Sequence, residues 1–248
     1  MDDLENRKND AILACSSRIL EGAKTAGIEI RLVGGVAIYS MCEAFQQVIS
    51  SGREPFSDID LATTSEYVER LEGLFRKWGF DQNREVRILF GRHRRVFYTE
   101  QSIGIDVYVD KLALCQEIPI RDRLSLDYPT LSCTDLLLSK IQNVSPKAKD
   151  LFDLQVLLQH VVQPSVADEF DLNYISRLCG RWSWWRTFKL NLLRLREHCD
   201  EVAFGDSEGA QRVLREIETA VDGEKKPLHW KLRNLIGDRV RWYEIVED

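Results

Sequence analysis

Asp58 and Asp60 are the residues in this chain best suited to chemistry. They stand two apart in Asp58-Ile-Asp-Leu-Ala62, a run that reads as a short strand. On a strand, such residues share one face about 6–7 Å apart. Two carboxylates so placed repel unless water or a cation lies between them. The spacing suits one shared Mg²⁺, or two ions roughly 3.5–4 Å apart. Taken alone, an Asp-x-Asp beside a loop is more often a solvated strand end. Two neighbours change that weighting. Asp106 sits between Ile105 and Val107 in a later alternating run, where a carboxylate without a partner is costly. Gly34-Gly35 follows an apolar run and precedes a helical one, so the backbone there can approach a phosphate closely. Asp110 shares the Asp106 face but lies about 13 Å further along, so Asp106 is the third member of the expected set.

The elements that must position these residues can be read from periodicity and punctuation. A helix is predicted over residues 4–26, ending at Gly27, then a strand over 28–33. A second helix is predicted over 36–49, closed by the breaker cluster Ser50-Ser-Gly-Arg-Glu-Pro55. After the Asp58 strand, Thr64 or Ser65 should cap a helix running to Trp78, with Gly79 as terminator. Residues 86–90 and 95–99 read as strands joined by Gly91-Arg-His-Arg94, which places Arg92, His93, Arg94 and Arg95 in a hairpin turn that could hold a phosphate. The run 103–109 is a third strand. Beyond Pro129 the pattern is helical. Ser132-x-x-Asp135 suggests a capping box, Ser145-Pro146 an N-cap followed by Pro at N1, and further helices follow at about 172–179, 184–202, 208–221 and 227–236. The fold class expected is α+β: an α/β domain over residues 1–128 and a helical domain over 129–248, with a cleft between them.

The ordered set Val33-Gly34-Gly35, Ser57-Asp58-Ile59-Asp60-Leu61 and Ile105-Asp106-Val107 resembles the signature of the nucleotidyltransferase superfamily related to DNA polymerase β. The downstream segments Leu136-Leu-Leu-Ser-Lys140 and Lys149-Asp150-Leu-Phe-Asp153-Leu are similar to motifs of its AbiEii/MenT-like branch, which includes toxins of bacterial toxin–antitoxin systems. The resemblance covers about residues 28–160. It implies a mixed sheet flanked by helices, with Asp58, Asp60 and Asp106 catalytic and binding Mg²⁺ or Mn²⁺. It also implies that Gly34, Gly35, Lys140, Lys149, Asp150 and Asp153 serve an NTP. The implied partners are the NTP, an RNA, small-molecule or protein acceptor, and an antitoxin-like protein. The stretch from Gly35 to Asp58 is longer than the superfamily pattern leads one to expect, so an insertion is anticipated there. The residues alone leave plainer readings open: Lys149 and Asp153 as a surface pair four apart on a helix, and Lys140 as an exposed helix lysine. Two other functions stay in view on the same fold, a nucleotide-binding module without turnover and a protein-interaction scaffold.

Composition limits these readings. With 44% hydrophobic and 30% charged residues among 248, the chain is that of an ordinary globular protein. No apolar run approaches the roughly 20 residues of a membrane span, and the acidic start Met-Asp-Asp-Leu-Glu is unlike a secretion signal; a cytoplasmic location is expected. The six cysteines show no metal spacing and are expected in the core. A net charge of -6 argues against general nucleic-acid binding. One candidate patch interleaves Trp182, Trp184, Trp185, Trp230 and Trp242 with Arg181, Arg186, Lys189, Lys231, Arg233, Arg239 and Arg241. Exposed, it would stack bases; the plainer expectation is that the tryptophans fill a core.

Overall fold

The computed structural model describes residues 2–166, 170–202, 204–223 and 225–244. The chain divides into two compact units, Met1–Ala113 with Glu117–Ser132, and Leu114–Gln116 with Cys133–Asp248.

The first unit opens with α1 (Asp2–Thr25), whose Ile12, Ile19 and Ala23 repeat at helical spacing and are fully buried. Gly27 ends it at φ +63, with the Gly27 and Ile28 amides donating back to the carbonyls of Lys24 and Ala23. Then come β1 (Ile30–Val33), α2 (Gly34–Met41), α3 (Gln46–Gly52), β2 (Asp58–Thr63), α4 (Val68–Lys77), β3 (Asp81–Gln82), α5 (Arg84–Phe90), β4 (Arg94–Tyr98), β5 (Gly104–Val109), β6 (Lys111–Ala113) and β7 (Glu117–Pro119). β1 to β5 form a mixed sheet in the order β1-β2-β5-β4-β3, and β6 and β7 form a separate ribbon. Only the β2–β5 pair is parallel.

Alternation divides this sheet into two chemical faces. Ile59, Leu61, Ile105, Val107 and Phe97 are buried on one, where the Phe75 ring of α4 meets Phe97 edge-on at 5.0 Å. The opposite face carries Asp58, Asp60, Asp106, Tyr108 and Arg94. The α+β class is thus as expected, with a mixed sheet, flanking helices and a helical C-terminal region.

Four local expectations are corrected. Residues 86–90 lie in a helix, because the Asn83 side chain caps it by accepting the Val86 amide at 3.1 Å. The basic stretch is therefore no hairpin turn: Arg94 and Arg95 lie on β4 and point to opposite faces. The helix foreseen over 36–49 breaks at Cys42 into α2, a 3-10 turn and α3, which together account for the long stretch before Asp58. Finally, α4 starts at Val68 rather than at Thr64 or Ser65, after a turn closed by the Tyr67 amide on the Thr64 carbonyl.

The second unit comprises α6 (Cys133–Ile141), α7 (Ala148–Val162), α8 (Leu172–Cys179), α9 (Trp182–Glu201), α10 (Ser207–Gly223) and α11 (Leu228–Ile236). α7 begins two residues beyond Pro146, because the Asp150 carboxylate caps it by accepting the Lys147 amide at 3.1 Å. Trp182, Trp184 and Trp230 are buried. Arg233 stacks on Trp182 at 4.0 Å and donates to the carbonyls of Gly237 and Val240, while Arg186 pairs with Asp238 and Lys189 with Glu218 and Asp222. Three of the tryptophans thus lie in a core, with Arg186, Lys189 and Arg233 paired at its rim and Arg181, Lys231, Arg239 and Arg241 exposed. Five of the six cysteines are buried, and all six are free thiols. Among the described residues no helix is long and apolar enough to cross a membrane.

Candidate active site

Register brings the acids together. β2 and β5 run parallel with Asp60 opposite Asp106 and Asp58 opposite Gly104. Adjacent strands lie roughly 4.8 Å apart, so Asp60 and Asp106 are next neighbours across the sheet, and Asp58 is one step along. On the other side β1 pairs Val33 with Asp60. The chain then leaves β1 through Gly34, at φ +70, where a Cβ would overlap Asp60 Oδ2. Only glycine fits there, for two separate reasons: the left-handed backbone and the carboxylate against it. The glycine turn and the acid pair are thus one construction. A Cβ at Gly35 would meet the Arg53 guanidinium, which also lies over the Phe56 ring at 5.0 Å and donates to the Glu54 carbonyl at 2.9 Å.

Asp106 is engaged. Arg94 Nε lies 3.0 and 2.9 Å from its two carboxylate oxygens, and Nη2 lies 2.5 Å from Oδ2. Burial pushes the Asp106 carboxyl above its ordinary value, against the pull of Arg94, and the charge of Asp58 adds to the rise. The same pair raises Arg94 further into its charged range, and Asp60 contributes. Tyr108, on the same face, has its phenol pushed well above the usual value by burial first and then by Asp60 and Asp106.

The donor set matches a hard divalent cation in kind, since such ions take carboxylate oxygens. Its present arrangement is narrower. Among the described residues no three His, Cys, Asp or Glu side chains stand close enough to hold a metal ion. A guanidinium occupies Asp106, and Asp58 accepts the Ser57 hydroxyl at 3.0 Å. Arg94 donates to both Asp106 oxygens, so an ion ligated there would share or displace that contact.

The second motif also assembles, differently from its plain reading. Lys140 is mostly buried and bridges Asp150 at 3.0 Å and Asp153 at 2.8 Å, with Asp153 fully buried. The cation that meets Asp153 comes from α6, not from Lys149 four residues earlier. Lys149 has no partner among the described residues. Asp110 stands outside the acid set at φ +65, bound to the Ser65 amide and Arg121.

Arg53 and Tyr108 escaped the sequence reading. A single arginine in a breaker cluster has no spacing signal, and a tyrosine two residues beyond an aspartate reads as an ordinary strand aromatic.

No protein-family model matches this chain, and no curated protein matches it. Among solved structures it is similar to an antigenic nucleotidyltransferase-like protein from Paracoccidioides brasiliensis, with 13% identity and a TM-score of 0.44, over 88% of this chain and 95% of that one.

Proposed function

We propose that this chain is a metal-dependent nucleotidyltransferase that moves a nucleoside monophosphate from an NTP to an acceptor hydroxyl or phosphate and releases pyrophosphate. The observation that carries the reading is the register of Asp60 with Asp106, closed on one side by the Gly34 turn. A fortuitous Asp-x-Asp does not call for a glycine whose missing Cβ leaves room for its second carboxylate.

Asp58 and Asp60, with Asp106 where the ion shares or displaces the Arg94 contact, would hold Mg²⁺ or Mn²⁺. The ion supplies charge neutralisation at the triphosphate and acidifies the attacking hydroxyl. The glycine turn lets backbone approach the phosphates. Arg94 and Arg53 offset phosphate charge, Arg94 by a fork that suits phosphate as well as carboxylate. Asp106 accepts the proton of the acceptor hydroxyl. RNA, a small molecule and a protein are all acceptors this chemistry permits. Burial of Trp182, Trp184 and Trp230 and the internal pairing of Arg186, Lys189 and Arg233 weaken the case for RNA, while Arg181, Lys231, Arg239 and Arg241 stay exposed.

One observation favours a second reading, a nucleotide-binding module without turnover: Asp106 is held by an arginine rather than open to an ion. The test is to incubate the protein with Mg²⁺ or Mn²⁺, each α-labelled NTP in turn, and total RNA, beside the Asp58→Ala/Asp60→Ala variant. Acid-dependent labelling of RNA or of the protein itself establishes transfer. Absence of label together with absence of metal–NTP binding by calorimetry rules it out, whereas metal–NTP binding without label on any acceptor supports the module.

A further inference from the structure

In α11 the usual polarity of a surface helix is inverted. Trp230 is buried, its ring 4.9 Å from that of Trp185 on α9. Arg233 and Asn234, on the same side, meet Trp182: the guanidinium stacks on its ring at 4.0 Å, and the Asn234 side-chain carbonyl accepts its indole N–H at 2.8 Å. Leu228, Leu232 and Leu235 stand at the i, i+4, i+7 spacing of one face, opposite Trp230. They are 74%, 54% and 78% exposed. Ile236 beside them and Val240 just beyond the helix are exposed too. A helix that serves only its own domain turns its apolar stripe to the core and its polar side chains to water. Scattered exposed leucines are ordinary, but a row of them at helical spacing is the seam by which one helix packs on another.

Charge selects what covers the row. Lys231 lies on the same side, three residues from Leu228 and four from Leu235, and Arg239 and Arg241 flank Val240. All three are exposed and have no side-chain partner among the described residues. Asp238, the acid within residues 227–241, is bound to Arg186. The segment is thus cationic in a chain whose net charge is -6. A second copy docked row to row would set these cations against the same cations, which is unfavourable. A lipid surface draws tryptophan outward, whereas Trp230 is turned in. Base stacking needs exposed rings, and the row is aliphatic.

We propose that the outer face of α11 docks an acidic amphipathic helix of a partner protein. The partner's apolar stripe covers Leu228, Leu232 and Leu235, and its carboxylates lie against Lys231, Arg239 and Arg241. This surface belongs to the helical unit and does not depend on the transferase reading.

The full chain is titrated, by fluorescence anisotropy, into three labelled synthetic helices of about 20 residues. One carries leucine at i, i+4, i+7 with glutamate at the flanking positions, the second has lysine for glutamate, and the third has serine for leucine. The glutamate–leucine peptide binds saturably, and the other two bind about ten-fold more weakly or worse. Leu232→Ser/Leu235→Ser weakens binding by a similar factor with an unchanged melting curve, because both side chains are exposed. Ile88→Ser/Leu89→Ser, at the exposed apolar residues of α5, leaves it intact. Absence of saturable binding overturns the proposal, as does equal binding of the lysine peptide or a loss confined to the α5 variant. A dimer in sedimentation equilibrium that Leu232→Ser/Leu235→Ser dissociates also overturns it, since the face then belongs to a second copy. Binding to phosphatidylglycerol vesicles that the same variant abolishes overturns it in favour of a lipid surface.

Discussion

Arg94 reaches Asp106 diagonally: Val96 is the residue opposite Asp106 on β4, while Arg94 stands opposite Tyr108 and extends along the strand to grip both carboxylate oxygens. A shorter side chain at that register position would not reach, and an unforked one would not grip both oxygens. The geometry places a protein cation on one carboxylate of a donor set that matches a metal in kind, so an ion bound there would compete with Arg94 for Asp106.

Replacing Arg94 by glutamine therefore strengthens binding of Mn²⁺. A charge-assisted hydrogen-bonded contact of this kind is worth about 1.5 kcal/mol, or roughly ten-fold in affinity. Calorimetric titration of the two proteins checks it. Equal affinities would mean that the ion never engages Asp106.

Gly34 and Gly35 differ sharply in their tolerance of a methyl group. Gly34→Ala forces a left-handed alanine and displaces the Asp60 carboxylate, costing about 2 kcal/mol. Gly35→Ala meets only the far end of the Arg53 side chain, which can shift, so its cost stays within about 1 kcal/mol. Urea denaturation of both variants measures the contrast, and a similar loss in both would contradict it.

Lys140 is a structural cation whatever else it does. Lys140→Met removes the lysine facing two buried acids and lowers stability by about 3 kcal/mol. Adding Asp153→Asn recovers part of that loss, since the acid left behind is then neutral. A loss typical of a surface lysine, below about 0.5 kcal/mol, would show that the pairings contribute nothing.

The helical unit has an acid-sensitive clasp between α9 and α10. Lys189 and Arg196 hold Glu218 below the usual glutamate range, and Trp185 and Lys189 hold Asp222 below that of aspartate against its partial burial. Depressed carboxyl values contribute stability that is complete above their unfolded values and lost as pH falls through the folded ones. Because these groups are partly exposed, the contribution is only about 0.5–1 kcal/mol. Melting curves from neutral to about pH 3 should fall less steeply for Lys189→Met than for the parent, and parallel curves would remove the clasp from the account.

The members of the candidate acid cluster were legible before the structure brought them to one sheet face. Asp58 and Asp60 announce themselves by two-residue spacing on a strand, and Asp106 by its apolar flanks. The helix over 86–90 was not, because Val86, Ile88, Leu89 and Phe90 have the composition of a strand. There the Asn83 cap and the surrounding turns outweighed residue preference. The break at Cys42 was equally hidden, since no proline or glycine marks it.

The sequence by itself determined the local facts: which segments alternate, where glycine ends a helix, and that acids stand beside apolar strand residues. These follow from propensity and periodicity within a few residues. Only the tertiary structure decided which residues meet the acids. Asp60 meets Asp106 through parallel pairing of β2 and β5, and Arg94 meets Asp106 through the antiparallel register of β4. Lys140 of α6, rather than Lys149, meets Asp153. Each of these contacts joins residues ten or more apart in the chain, and their register is set by burial of the opposite sheet face or by helix packing, which no short spacing encodes.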